Sequence, residues 1–255
     1  IKWAKDIEKI IWKIEFKNVN FSYKHDDEKE VLKNINFIIN PWEKIALVWT
    51  TGSWKSTITS LLLRFWEIKK GHIYLDGIDT KKITKKSLRK HIWIVMQDNS
   101  LFNTSIKNNM LYAKPEATDE EIISCLKKAK AEFVFKQKEG INTEIWERWL
   151  KLSGWEKQRL NIARIILKNP EILILDEATS ALDNKTEIEI QKSIDELITW
   201  KTSIIIAHRL STIKKVDKIF VLDNWEIVET GTYEALLAKW WKFSQLANPD
   251  KMMMN

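Results

Sequence analysis

Glycine is what this sequence most lacks: there are 6 in 255 positions, beside 14 tryptophans, where about 7% glycine is usual. Turns with positive φ and close backbone approaches ordinarily draw on glycine, so the shortage needs a cause. Cysteine is nearly absent as well. Cys125 stands alone, which excludes an internal disulfide framework and suits a reducing compartment. No apolar run comes near the roughly 20 residues that a membrane-spanning helix requires; stretches such as 172–175 and 204–207 are typical. No secretory signal pattern is visible, and the first residue is Ile1 rather than methionine, as expected of a piece of something longer.

What is present suffices for a large folded domain, because 44% of the residues are apolar and a chain of this length can bury a sizeable core. The net charge is +7, from 42 Lys and Arg against 35 Asp and Glu. The lysines are scattered, with short pairs at Lys81–Lys82 and Lys85–Lys86. Such spacing describes a solvated surface rather than a nucleic-acid footprint, so no nucleic-acid partner is expected.

Lys44–Val48, Ile172–Asp176, Ser203–Ala207 and Lys218–Leu222 are short runs rich in apolar and β-branched residues, and they predict buried strands. Alternating with helical patterns, they predict an α/β core with a mainly parallel sheet. Ile14–Phe16 and Val19–Tyr23 alternate like two strands of an antiparallel edge sheet. From about 99 to 167 the pattern is mainly helical, which predicts an inserted α-helical subdomain. Within it, Thr118-Asp-Glu-Glu121 and Ser153-Gly-Trp-Glu156 have the spacing of capping boxes that open helices. Residues 1–11 read as a linker and 248–255 as a tail.

The chemistry begins after the first buried strand, where Trp49-Thr50-Thr51-Gly52-Ser53-Trp54-Lys55-Ser56 is followed by a helical run that includes Thr57. This is the context of a phosphate-binding GxxxxGK[S/T] loop with both framing glycines replaced. In such a loop, backbone N–H groups at a helix N-terminus surround the phosphates, the lysine reaches the outer ones and the hydroxyl meets magnesium. Ile172–Asp176 then ends in two carboxylates, Asp176 and Glu177. One suits magnesium, and the other suits a general base for an attacking water.

Leu152-Ser153-Gly154-Trp155-Glu156-Lys157-Gln158-Arg159 resembles the LSGGQ signature of the ATP-binding cassette family. The resemblance runs over nearly the whole chain. It implies a P-loop NTPase core with a mainly parallel sheet, an antiparallel β edge subdomain and an inserted α-helical subdomain. It also implies roles: Tyr23 stacks on adenine, Gln97 contacts magnesium and water, Asp183 speaks across a dimer, and His208 holds the γ-phosphate. Ser56, Gln97 and Asp176 would be the magnesium ligands, and ATP with Mg2+ the cofactors. Two such domains would sandwich ATP between the loop of one and the Ser153 helix of the other. Thr143-Glu-Ile-Trp-Glu147-Arg-Trp149 resembles the TEVGERG segment of exporters, and Ser100–Ile106 the exporter segment after the Q-loop. The expected partners are therefore a second nucleotide-binding domain and a transmembrane domain on the same polypeptide, and the expected location is the cytoplasmic face of the membrane. A soluble repair or translation cassette and a non-hydrolysing degenerate cassette are the rival readings.

Against the family pattern, Trp42, Trp49, Trp54, Trp93, Trp146, Trp149, Trp155, Trp200 and Trp225 stand where glycine is expected, and Trp12, Trp240 and Trp241 join them. Exchanging these would raise glycine from 6 to 18, close to the usual share. The expectation is a source that reads UGA as glycine, with those codons written here as tryptophan. Trp3 has no clear counterpart in the family and Trp66 lies where the family often has an aromatic, so both stay unassigned.

Overall fold

The computed structural model describes residues 4–7, 11–23, 30–49, 55–95, 101–145, 152–176, 193–206, 210–239 and 241–247. It divides the chain into two units, one formed by 1–94, 171–177 and 200–255, the other by 95–170 and 178–199.

In the first unit, strands β3 (Lys44–Trp49), β6 (Ile92–Val95), β7 (Ile172–Asp176), β8 (Thr202–Ile206), β9 (Lys218–Asp223) and β10 (Glu226–Gly231) form a sheet in the order β10-β9-β3-β8-β7-β6. The β3–β8, β3–β9 and β7–β8 pairs are parallel, and β10 returns antiparallel to β9. The α/β class is thus as expected, and the four strands anticipated from apolar runs lie within a residue of their predicted bounds. Every described residue of β8 is buried, as is Ile172–Leu175 of β7. Burial on both faces removes the in-out alternation, which is why these strands read as unbroken apolar runs.

A second sheet, antiparallel and ordered β2-β1-β4-β5, is built from β1 (Ile14–Phe21), β2 (Leu32–Ile39), β4 (Lys70–Leu75) and β5 (Ile78–Asp79). Here one expectation is corrected: Ile14–Phe16 and the residues from Val19 belong to one strand, not two. A bulge shifts the register between Lys17 and Asn20, so the buried face passes from Phe16 to Val19 in three steps. Asn18 takes φ +49 at the bulge, and Gly71 opposite takes φ +86. A Cβ on Gly71 would lie 2.2 Å from the Asn18 carbonyl oxygen, so this glycine is sterically required. The sheets share a core in which Phe16 stacks on Phe37 at 4.5 Å and Phe37 meets Phe220 at 5.2 Å.

Helix α1 (Lys55–Leu62) follows β3, and α2 (Lys85–His91) leads into β6. Lys5 bridges Ile83, and the Ile7 amide donates to Ser87 Oγ, so part of the stretch expected as a linker is bound to the start of α2.

The second unit is helical where described: α3 (Ile106–Leu111), α4 (Asp119–Lys128), α5 (Gly154–Lys168) and a helical run over 193–198, α6, with 3-10 turns at Glu132–Lys136 and Gly140–Asn142. Both capping boxes form as predicted, Thr118 with Glu121 and Ser153 with Glu156. Arg164 on α5 is buried and donates from Nε to the Asn109 carbonyl at 3.0 Å, and burial pulls its guanidinium pKa below the ordinary value. Three short helices close the first unit: α7 (Leu210–Ile213), α8 (Tyr233–Ala238) and α9 (Lys242–Ala247).

Backbone geometry singles out some of the tryptophans. Among the described residues, Trp12 (φ +74), Trp42 (+62), Trp200 (+66) and Trp225 (+72) lie in the left-handed region. A bulky residue there is a genuine outlier, whereas Asn18, Asn34, Asn169 and Asn224, also left-handed, are of a type that tolerates it. Trp66, Trp93 and Trp155 are not left-handed. Trp42 and Trp200 precede β3 and β8 by two residues each, at the amino ends of those strands. The buried Thr202 hydroxyl accepts from the Trp42 amide at 3.0 Å and donates to the Trp12 carbonyl at 3.3 Å, joining two of these turns.

Candidate functional site

The parallel strands β3, β8 and β7 all finish at one edge of the sheet. Leu47 of β3 and Asp176 of β7 both pair with Ile206 of β8. They therefore stand level, with one strand between them, about 10 Å apart at ordinary strand spacing. Both strands thus end at the carboxyl edge of the sheet, where open parallel sheets bind ligands.

Five residues join β3 to α1: Thr50, Thr51, Gly52, Ser53 and Trp54 lie outside the described residues, as do Gln97, Glu177, Asp183 and His208. The backbone of Trp49 ends β3, and that of Lys55 and Ser56 opens α1. The segment expected to bind phosphate thus has a strand before it and a helix after it. The first turn of α1 contains no acidic residue, so its partial positive charge is not offset from within the helix.

Thr57 is fully buried, and its Oγ1 lies 2.5 Å from the Tyr23 hydroxyl. This bond anchors Tyr23, just beyond the end of β1, to the first turn of α1. The Tyr23 ring, 40% exposed, is free on part of its surface to meet a flat ligand. Phe21 contacts it edge-on with centroids 4.9 Å apart, and Trp66 does so at 5.3 Å. Trp66 had no role in the sequence reading, because nothing in its spacing indicates that the chain brings it to Tyr23.

Asp176 ends β7 in a half-buried position at the carboxyl edge. With a serine hydroxyl from α1 and phosphate oxygens it would supply hard oxygen donors, the type that suits magnesium. Among the described residues, no group of three or more His, Cys, Asp or Glu is gathered as a metal site.

In the helical unit, the Ser153 Oγ donates to Glu156 Oε2 at 2.6 Å and the Ser153 amide to the same oxygen at 2.8 Å. Glu156 is thereby occupied as a helix cap. The first residue of α5 is Gly154, where an added Cβ would meet nothing within 4 Å. The fold itself makes no steric demand for glycine there, and its small size leaves the helix start open to an approaching anion. Trp155, by contrast, projects an indole 37% exposed, edge-on to Phe133 at 5.8 Å and with the Arg159 guanidinium 5.6 Å from its ring.

The sequence profile described as "ABC transporter" matches residues 32–180. A "Putative multidrug export ATP-binding/permease protein" from Staphylococcus aureus (strain bovine RF122 / ET3-1) is 48% identical over 237 residues, which is 92% of this chain and 41% of that protein. Its counterpart in strain NCTC 8325 / PS 47 is 47% identical over the same length. Among solved structures, a bacterial Atm1-family ABC exporter with ATP bound superposes with a TM-score of 0.86 at 38% identity, covering 97% of this chain and 44% of that one. The chain thus spans about two fifths of the length of each.

Proposed function

The chain belongs to the ABC transporter family, whose ATP-binding domains hydrolyse ATP, and on that footing we propose that it is one of two ATPase domains powering a membrane exporter. The observation that carries this reading is the level placement of β3, which runs through the loop into Lys55–Ser56, and β7, which ends in Asp176, at one sheet edge. ATP is bound with its phosphates on the backbone of Trp49–Ser56, Lys55 on the outer phosphates and Tyr23 against adenine. Ser56, Gln97 and Asp176 would hold magnesium, whose charge would offset that of the phosphate oxygens. Glu177 takes a proton from the attacking water, and His208 holds the γ-phosphate. Ser153, Gly154, residue 155 and Glu156 of a second copy, or of a related domain, close over the nucleotide, with Asp183 at the contact. Hydrolysis removes the γ-phosphate that joins the pair, and the pair reopens.

The proposed organisation is a linker over 1–11, a nucleotide-binding domain over 12–247 with its helical subdomain at about 99–167, and a tail over 248–255. The linker leads from a transmembrane domain on the same polypeptide, which holds this domain at the cytoplasmic face of the membrane. Relatives described as ATP-binding/permease proteins, of which this chain covers 41%, support that arrangement. Among the described residues, no helix is long and apolar enough to cross a membrane.

The protein is further proposed to carry glycine at the twelve family glycine positions written here as tryptophan. The left-handed backbone at Trp12, Trp42, Trp200 and Trp225 supports this. The gene tests it directly: UGA codons are expected at those positions, and UGG codons would refute it. Light scattering tests the pairing. A chain with glycine restored and Glu177→Gln should double its mass on adding ATP, and a mass unchanged at saturating ATP would count against an ATP-joined dimer.

A further inference from the structure

Tyr23 is held from three sides. Its hydroxyl is bonded to Thr57, its ring meets the buried Phe21 edge-on, and Trp66 closes on it with planes at 86°. Trp66 also lies 6.5 Å from Phe21, so the three rings form one cluster. Phe21 is 3% exposed and fixed in the core, whereas Tyr23 and Trp66 are 40% and 48% exposed. The cluster therefore has a rigid base and a two-ring outer surface beside the helix that follows the phosphate loop.

Trp66 differs from the tryptophans placed at glycine positions. Unlike Trp12, Trp42, Trp200 and Trp225, it does not have a left-handed backbone, so no conformational demand for glycine exists there. Its ring makes contacts that a glycine would forfeit, leaving Tyr23 with Phe21 as its one described ring neighbour. Edge-to-face contacts fix relative ring orientation as well as distance. Removing one of the two contacts on Tyr23 would let its plane tilt about the tethered hydroxyl.

We propose that Trp66 is a true tryptophan of this protein and the positioning residue for its adenine-binding ring, setting the plane of Tyr23 for the base of ATP. The proposal rests on Tyr23 being the adenine-stacking residue.

The test uses the chain with glycine at the twelve positions and Trp3→Phe, which leaves Trp66 as its one indole. Magnesium-ATP should produce a saturable change in indole emission. Trp66→Ala should weaken ATP binding about three- to tenfold, the range an edge-to-face aromatic pair supports, raise KM by more than it lowers kcat, and reduce the preference for ATP over GTP. Trp66→Phe should restore most of the affinity. If Tyr23→Ala weakens ATP binding while Trp66→Ala does not, the role of Trp66 is overturned and the reading of Tyr23 stands. If Tyr23→Ala leaves ATP affinity unchanged, the reading of Tyr23 fails and the proposal falls with it. Should Trp66→Ala fail to fold, the emission titration of the parent decides: no change at saturating ATP overturns the proposal. The codon for residue 66 should be UGG, and UGA there would overturn it as well.

Discussion

Replacing Trp200 and Trp42 with glycine in the chain as written should make it more stable, although each exchange deletes the largest of all side chains. The indole of Trp200 is 83% exposed and that of Trp42 is 59% exposed, so little packing is lost. Both backbones are left-handed, at φ +66 and +62. Holding a non-glycine residue there costs roughly 1–3 kcal/mol. Glycine returns part of that gain through the greater freedom of its unfolded chain, about 0.4–1 kcal/mol. A net gain of about 1 kcal/mol per site remains, or about 2 kcal/mol for both, against a typical total stability of about 5–15 kcal/mol. The two turns lie near Thr202, to which the Trp42 amide is bonded, so the pair need not be strictly additive. Urea unfolding followed by far-UV circular dichroism should show a higher midpoint at unchanged slope. Trp66→Gly is the internal control, because its backbone is unstrained and its ring packs on Tyr23; it should lower the midpoint. Loss of stability at both Trp42 and Trp200, or an equal gain at Trp66, would refute the backbone argument.

Gly71→Ala should cost at least about 2–3 kcal/mol, since positive φ and a 2.2 Å contact with the Asn18 carbonyl act together; a change under 1 kcal/mol in urea unfolding would contradict the required bulge. Thr118→Ala should cost about 1 kcal/mol by removing the helix cap of α4, with hydrogen exchange accelerating in α4 while β3 and β8 keep their protection. The Lys114 side chain, 2.6 Å away, holds the Glu121 carboxyl below the usual carboxylate range. The stability this provides is therefore present above the unfolded carboxylate value and lost as pH falls through the depressed folded one. Glu121→Gln should flatten that part of the acid limb of the stability profile, and an unaltered limb would refute the pairing.

The buried strands were legible in the sequence because apolar, β-branched runs such as Ile172–Leu175 state their burial directly. Thr118-Asp-Glu-Glu121 and Ser153-Gly-Trp-Glu156 were legible because a cap is a local hydrogen-bond pattern at fixed spacing. The bulge at Lys17–Asn20 was not. It depends on a register with β4 and on Gly71, some fifty residues away, and from one strand alone the slipped alternation looks like a break. The tether of Tyr23 to Thr57 and the approach of Trp66 were hidden for the same reason, since both arise from chain segments that only the fold brings together. Trp12, Trp42, Trp200 and Trp225 were readable as glycine positions only through the family resemblance, and the left-handed backbone supplies the physical demand behind it.

Release of phosphate from magnesium-ATP by the chain carrying glycine at the twelve positions is the most direct measurement of the account. Turnover is expected from that chain, with Glu177→Gln reducing it at least a hundredfold, of the order a positioned general base contributes, while ATP binding persists. Equal phosphate release with Glu177 and with glutamine, or no release from the glycine-bearing chain under conditions where it is folded and paired, would contradict it.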